Sequence, residues 1–119
     1  MDPFKSILVD IDAALPAHPA LERAIRLARA SGARLTITDV MTVPAYARRY
    51  LPAHVEEEMI SRRRQQLARI AHAVTDVPTE ARLLDGRPAT VLIQEVLRSN
   101  HDLLMRSHAR KVTPPGPRP

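Results

Sequence analysis

Five histidines, five serines and no cysteine bound the reaction chemistry open to this chain. The histidines, at positions 18, 54, 72, 101 and 108, share no metal-ligand spacing and stand on different predicted elements. The closest combination is His101-Asp102 with His108, and the apolar run between them would hold the two rings apart. Ser6, Ser31, Ser61, Ser99 and Ser107 lack the glycine-flanked turn of a nucleophile elbow. Without cysteine there is no thiolate nucleophile, thiolate metal site or disulfide framework. The three glycines, 32, 86 and 116, form neither GxGxxG nor GxxxxGK[ST]. What remains suits binding rather than bond-breaking. Acids close two apolar runs, Asp10 and Asp12 after "KSILV" and Asp39 within "TITDV". An acid at a strand end can accept hydrogen bonds from a ribose hydroxyl or an amine. The plainer reading of Asp12 is a loop or helix-capping acid.

The elements that must position these groups follow from hydrophobic periodicity. "KSILVDID" (5–12) is a short β-branched run of the buried parallel type. A helix follows two prolines, with Leu21, Ala24, Ile25 and Ala28 on one face and Gly32 as its stop. "RLTITDVMTV" (34–43) is a second strand, and 44–52 a loop with Tyr46 and Tyr50. Residues 53–74 predict a long helix with Ile60, Leu67, Ala71 and Val74 on its buried face. Its "EEE" at 56–58 and "RRR" at 62–64 read as a solvated face, with Glu58 and Arg62 as an i,i+4 pair. "PTEARLLDG" is a third strand, and Pro88 opens a helix through "ATVLIQEVLRS". "HDLLMRS" is a fourth strand. Alternation of strands and helices requires right-handed crossovers and a parallel sheet covered on both faces. The predicted fold is α/β, doubly wound and Rossmann-like, with about four strands. Such sheets bind ligands beyond the carboxyl ends of their strands.

At 119 residues the chain makes one domain. Its amino terminus has neither the basic start nor the long apolar core of a signal peptide, and no run approaches a membrane span. A cytoplasmic location is the expectation. The net charge of +5 resides at the carboxyl end, where Arg106, Arg110, Lys111 and Arg118 lie in fourteen residues without an acid. Setting those four aside leaves 14 basic against 13 acidic residues. Four cations on a tail imply at most weak, salt-sensitive contact with nucleic acid. Residues 112–119, half of them proline, are expected to be a disordered tail behind a domain spanning 1–111.

Three stretches together resemble the universal stress protein (UspA-like) family. "KSILVDIDAALPAHPALERAIRLARASGARLTITDVMTVP" is similar to the family's opening strand, helix and second strand. "ARLLDGRPATVLIQEV" is similar to its third-strand and helix unit, and "HDLLMRSHARK" to its fourth strand. The resemblance covers residues 4–111 and looks closest to the first domain of tandem, E-type members. It implies an adenine-nucleotide alpha-hydrolase-like fold, a non-enzymatic role in stress response and a homodimer. By the same resemblance, Asp12 would contact adenosine and Val40 flank the adenine. Met105, Arg106 and Ser107 would take the place of the phosphate loop, with Arg110 and Lys111 able to supply charge. The family's loop glycines fall on Arg106 and Ala109, and the Gly-Ser after its first acid on Ala13-Ala14. Glycine allows φ > 0 and lets backbone N–H groups approach phosphates, which arginine and alanine do less easily. The implied function is therefore binding of a small ligand or protein partner with ATP binding lost. The alternative is a member that still binds ATP or another adenine nucleotide. The family's last helix and fifth strand have no counterpart, so the fourth strand would be an edge. That edge would pair with a second copy, or the chain would be a truncated or frame-shifted product.

Overall fold

A computed structural model describes residues 4–42, 47 and 49–106. Four parallel strands, β1 (Ser6–Asp10), β2 (Arg34–Met41), β3 (Thr79–Asp85) and β4 (Leu103–Arg106), form one sheet in the order β3-β2-β1-β4. Three helices connect them: α1 (Pro19–Ser31), α2 (Ala53–His72) and α3 (Pro88–Ser99). This is the doubly wound α/β arrangement expected from the alternation of elements. Ser107 and Arg110, Tyr46, and the tail at 112–119 lie outside the described residues. Among those described, no helix is long and apolar enough to cross a membrane.

Burial explains the composition of the strands. Ile7, Leu8 and Val9 are all fully buried because β1 lies between two strands and under helices on both faces. Side chains alternate across the pleat. Ile7 and Val9 join Leu35 and Ile37 beneath α1 and α2, where Ala24, Ala28 and Leu67 close the core. Leu8 and Val40 face the opposite side, where Leu92 of α3 packs on them. Alanines dominate the inner face of α1, allowing that helix to sit close to the sheet.

The helix ends follow local chemistry. Gly32 caps α1 in the left-handed conformation at φ 68°, and its N–H returns to the Ala28 carbonyl. Asn100 does the same for α3 at φ 53°, with its N–H on Val96 O. Proline stands in the first turn of both α1 and α3, where no intrahelical donor is lost. The apolar stripe of α3 is broader than the sheet beneath it. Leu92 is buried, whereas Ile93 and Leu97 are exposed.

Candidate functional site

The carboxyl ends of β1 and β2 carry three acids, two of which share Arg63 while the third meets Arg106 on the other face. Past β1, the Ile11 N–H still reaches the Thr38 carbonyl (2.9 Å), so the chain leaves the sheet only at Asp12. There the Asp12 carboxylate accepts the Ala14 N–H (3.0 Å), and the Leu15 N–H closes the turn on the Asp12 carbonyl (3.1 Å). His18 Nε2 also donates to that carbonyl (3.0 Å). The loop role considered for Asp12 is thus present, whereas α1 begins at Pro19 behind His18 with no side-chain cap. The turn does not use up the carboxylate.

Asp39 lies on the α2 side of β2 and is 1% exposed. A buried carboxylate needs a compensating charge, and Arg63 of α2 supplies it. Arg63 Nε donates to Asp39 Oδ2 (2.6 Å) and Nη2 to Oδ1 (3.1 Å), a fork matched to the planar carboxylate. The same Nη2 reaches Asp12 Oδ1 (3.2 Å), and the Ala13 N–H approaches Asp39 Oδ2 (3.4 Å). One guanidinium therefore joins α2, β2 and the loop after β1. Its hydrogen bonds to Asp39 raise the pKa of Arg63 above the ordinary arginine value, against the opposing effect of burial.

The third acid, Asp10, points to the other face. It accepts Thr38 Oγ1 (3.0 Å), and Arg106 Nε stands 3.5 Å from its second oxygen. Asp10 and Arg106 are register partners across β1 and β4. These are the strands where the chain reverses its direction across the sheet, the position at which doubly wound folds hold ligands.

The structure distributes the sequence-predicted residues between the two faces. Asp12 joins Arg63 on the α2 side, and Met105 packs with the core on that same side. Val40 is 6% exposed and packs against Leu8 and Leu92 beneath α3, on the face where Arg106 meets Asp10. Periodicity assigned "RRR" to solvent as a block. Arg62 fits that reading, in an exposed pair with Glu58 (3.2 Å). Arg63 departs from it. Its position, three residues after Ile60 and four before Leu67, continues the apolar stripe of α2, and that spacing was the available signal.

A second polar group occupies the opposite, amino ends of the strands. Asp102 accepts the N–H groups of Lys5 (2.9 Å) and Ser6 (3.0 Å), anchoring the start of β4 to β1. Ser6 Oγ and His101 Nδ1 are 2.7 Å apart, and Arg34 Nε donates to the same hydroxyl (2.9 Å). Ser6 and His101 are both buried, so this pair does not present a nucleophile to a substrate. Burial, and then the Arg34 charge, push the His101 pKa below its ordinary value. Nearby, Glu95 is 4% exposed and accepts Arg98 (2.8 Å) and Ser99 (3.1 Å). Arg82 Nε lies 3.2 Å from Glu95 without the alignment of a hydrogen bond. Among the described residues, no group of histidine and carboxylate side chains could hold a metal ion.

A four-stranded parallel sheet in this order, with helices on both faces, defines an α/β protein of the doubly wound class. The family model of the universal stress proteins matches residues 3–111, and the chain belongs to that family. A universal stress protein encoded 3′ of a QAH/OAS sulfhydrylase in Thermus aquaticus is 36% identical over 107 residues, 86% of this chain and 75% of the relative. A family member from Burkholderia pseudomallei has the same fold, with a TM-score of 0.72 and 23% identity over 87% of this chain and 81% of its own. A universal stress protein solved in complex with cAMP superimposes with a TM-score of 0.61 at 22% identity, covering 85% of this chain and 74% of that one.

Proposed function

We propose that this chain is a non-enzymatic universal stress protein domain that binds a small ligand or protein partner, with family-type ATP binding lost. One observation carries the reading: each acid above the reversal point already has an arginine. Arg63 engages Asp12 and Asp39, and Arg106 approaches Asp10 at the position where the resemblance expects a loop glycine. A triphosphate would need backbone N–H groups brought close to it by glycine. Arg106 instead places a side chain over Asp10. The Asp12 carboxylate, about one quarter exposed, keeps acceptor capacity for a donor group of a small ligand. A homodimer is part of this proposal, and native mass spectrometry tests it directly.

Titration calorimetry with ATP and adenosine distinguishes the ligand classes. The expected result is no heat from ATP at millimolar concentration. Micromolar ATP binding abolished by Asp12→Ala would overturn the proposal in favour of a nucleotide-binding member. That second reading has one specific support, the likeness in fold to a universal stress protein holding cAMP.

A further inference from the structure

The shortest strand, β4, has four residues, and its one strand neighbour among the described residues is β1. A polar cluster fixes its start. The Asp102 carboxylate accepts the N–H groups of Lys5 and Ser6, and the Asp102 N–H donates to the Ser6 carbonyl (3.0 Å). Beside this anchor, His101 Nδ1 lies 2.7 Å from Ser6 Oγ. Arg34 Nε donates to the same oxygen (2.9 Å), and Arg34 Nη2 donates to the Ser99 carbonyl (2.8 Å). The guanidinium is therefore held next to the histidine ring from two sides.

The hydrogen-bond count fixes where the neutral ring carries its proton. Arg34 can only donate to Ser6 Oγ, and the hydroxyl proton has no acceptor among the described residues other than His101 Nδ1. The ring proton then sits on Nε2, which is buried and has no partner among the described residues. A second proton, on Nδ1, upsets this arrangement. Nδ1–H and Arg34 Nε–H would both point at one oxygen, and the hydroxyl proton would lose its acceptor. The added charge would also be enclosed, because His101 is 7% exposed and Ser6 3%.

Charges around the ring come from every neighbouring element. Arg34 of β2 opposes a cation there, whereas Glu95 of α3, Glu80 of β3 and Asp102 favour one. Glu95 is already engaged by Arg98, Ser99 and Arg82, and Asp102 by its two backbone donors. Burial and Arg34 prevail, so the ring's pKa lies below its ordinary 6.5. The N–H groups of Lys5 and then Ser6 lower the Asp102 pKa, which keeps that anchor charged in mild acid.

We infer that Ser6, His101 and Arg34 form an acid-sensitive latch, in which a proton on the His101 ring detaches β4 from β1 while β2 and β3 stay paired. Once β4 is released the ring meets water, so the protonated form favours the released strand. The latch is closed above pH 6.5 and opens below it. Release also takes Arg106 from Asp10, its register partner at the far end of β4.

Hydrogen exchange of the full chain at pH 7.5 and 5.5, corrected for the intrinsic effect of pH on exchange, tests the latch. Opening of β4 should rise about tenfold, since one proton changes an equilibrium by at most roughly tenfold per pH unit. The amides of β2 and β3 should keep their protection. His101→Asn leaves an acceptor near Ser6 and never becomes cationic, so its β4 exchange should not respond to pH. Equal acceleration in β2 and β3 would mean global unfolding and overturn the latch. So would acceleration that persists in His101→Asn, or β4 protection unchanged between the two pH values. NMR titration of the His101 ring in the natural chain needs no variant. Its midpoint should fall below 6.5, and a midpoint at or above that value would overturn the latch as well.

Discussion

Arg63 and Asp39 form a forked ion pair, with contacts of 2.6 and 3.1 Å, between a helix and a strand 24 residues apart in sequence. Asp39 is buried and Arg63 only partly so. Such a pair adds little net stability over an apolar replacement, but losing one partner strands a charge. Arg63→Ala should therefore destabilise the fold by about 3 kcal/mol in urea unfolding. Arg62→Ala, which removes an exposed pair with Glu58, should cost less than about 0.5 kcal/mol. Equal effects from the two neighbours would mean that the Asp39 carboxylate finds compensation elsewhere.

Gly86 closes β3 at φ 135°, a region that side chains rarely adopt, and an added Cβ would lie 2.8 Å from Val91 Cγ1. Gly86→Ala should cost about 2 kcal/mol or more from backbone strain, before the shift forced on Val91. Gly32, at φ 68° with open space around it, should tolerate alanine at roughly 1 kcal/mol. Asparagine should do better there, because it adopts the left-handed cap more readily. Thermal melting of the three variants checks this ranking.

Stability should fall on mild acidification. His101 has its pKa lowered by burial and by the Arg34 charge, so the folded chain takes up a proton less readily than the unfolded one. A depressed folded pKa confers stability above the ordinary value of 6.5 that is lost as pH drops below it. Glu95 acts at lower pH. Burial raises its pKa, but hydrogen bonds from Arg98 and Ser99 and the charges of Arg82 and Arg98 outweigh this, for a net lowering. Its contribution is present above the ordinary 4.5 and disappears below it. The first step should flatten in His101→Gln. Urea midpoints at pH 7.5, 6.0 and 5.0 provide the check, and a midpoint that rises from 7.5 to 6.0 would contradict it.

Leu67 and Leu97 look alike as apolar positions on amphipathic helices, yet the fold treats them differently. Leu67 is 1% exposed in the core beneath α2, and Leu97 is 72% exposed on α3. Leu67→Ala should lose about 2–5 kcal/mol, with the upper part of that range if the site does not collapse. Leu97→Ala should stay within about 0.5 kcal/mol by the same unfolding measurement.

Much of the architecture was legible from local pattern. Short continuous apolar runs and stripes of period 3.6 located the four strands and three helices of the described residues, and their alternation implied the parallel sheet. Gly32 and Pro88 marked helix boundaries because their backbone preferences act within a single turn. The fourth strand begins at Leu103, two residues after the predicted "HDLLMRS" start, since His101 and Asp102 serve as an anchor to Ser6 and Lys5 rather than as strand residues. The Asp12 position was legible as well, through its place after a buried strand.

The pairing of charges was not. Position 63 lay on the apolar stripe of α2, but nothing local says that this arginine, among "RRR", meets an aspartate 24 residues away and another 51 away. Likewise Ser6 and His101 stand 95 residues apart and become neighbours only through the β1–β4 register. Periodicity reports which face of an element is buried, because that depends on residues a few positions apart. Which polar group answers which is set by the sheet order and register. The sequence by itself determined the elements, their order and the acids at the strand ends. Only the tertiary structure decided that those acids come already partnered by arginine.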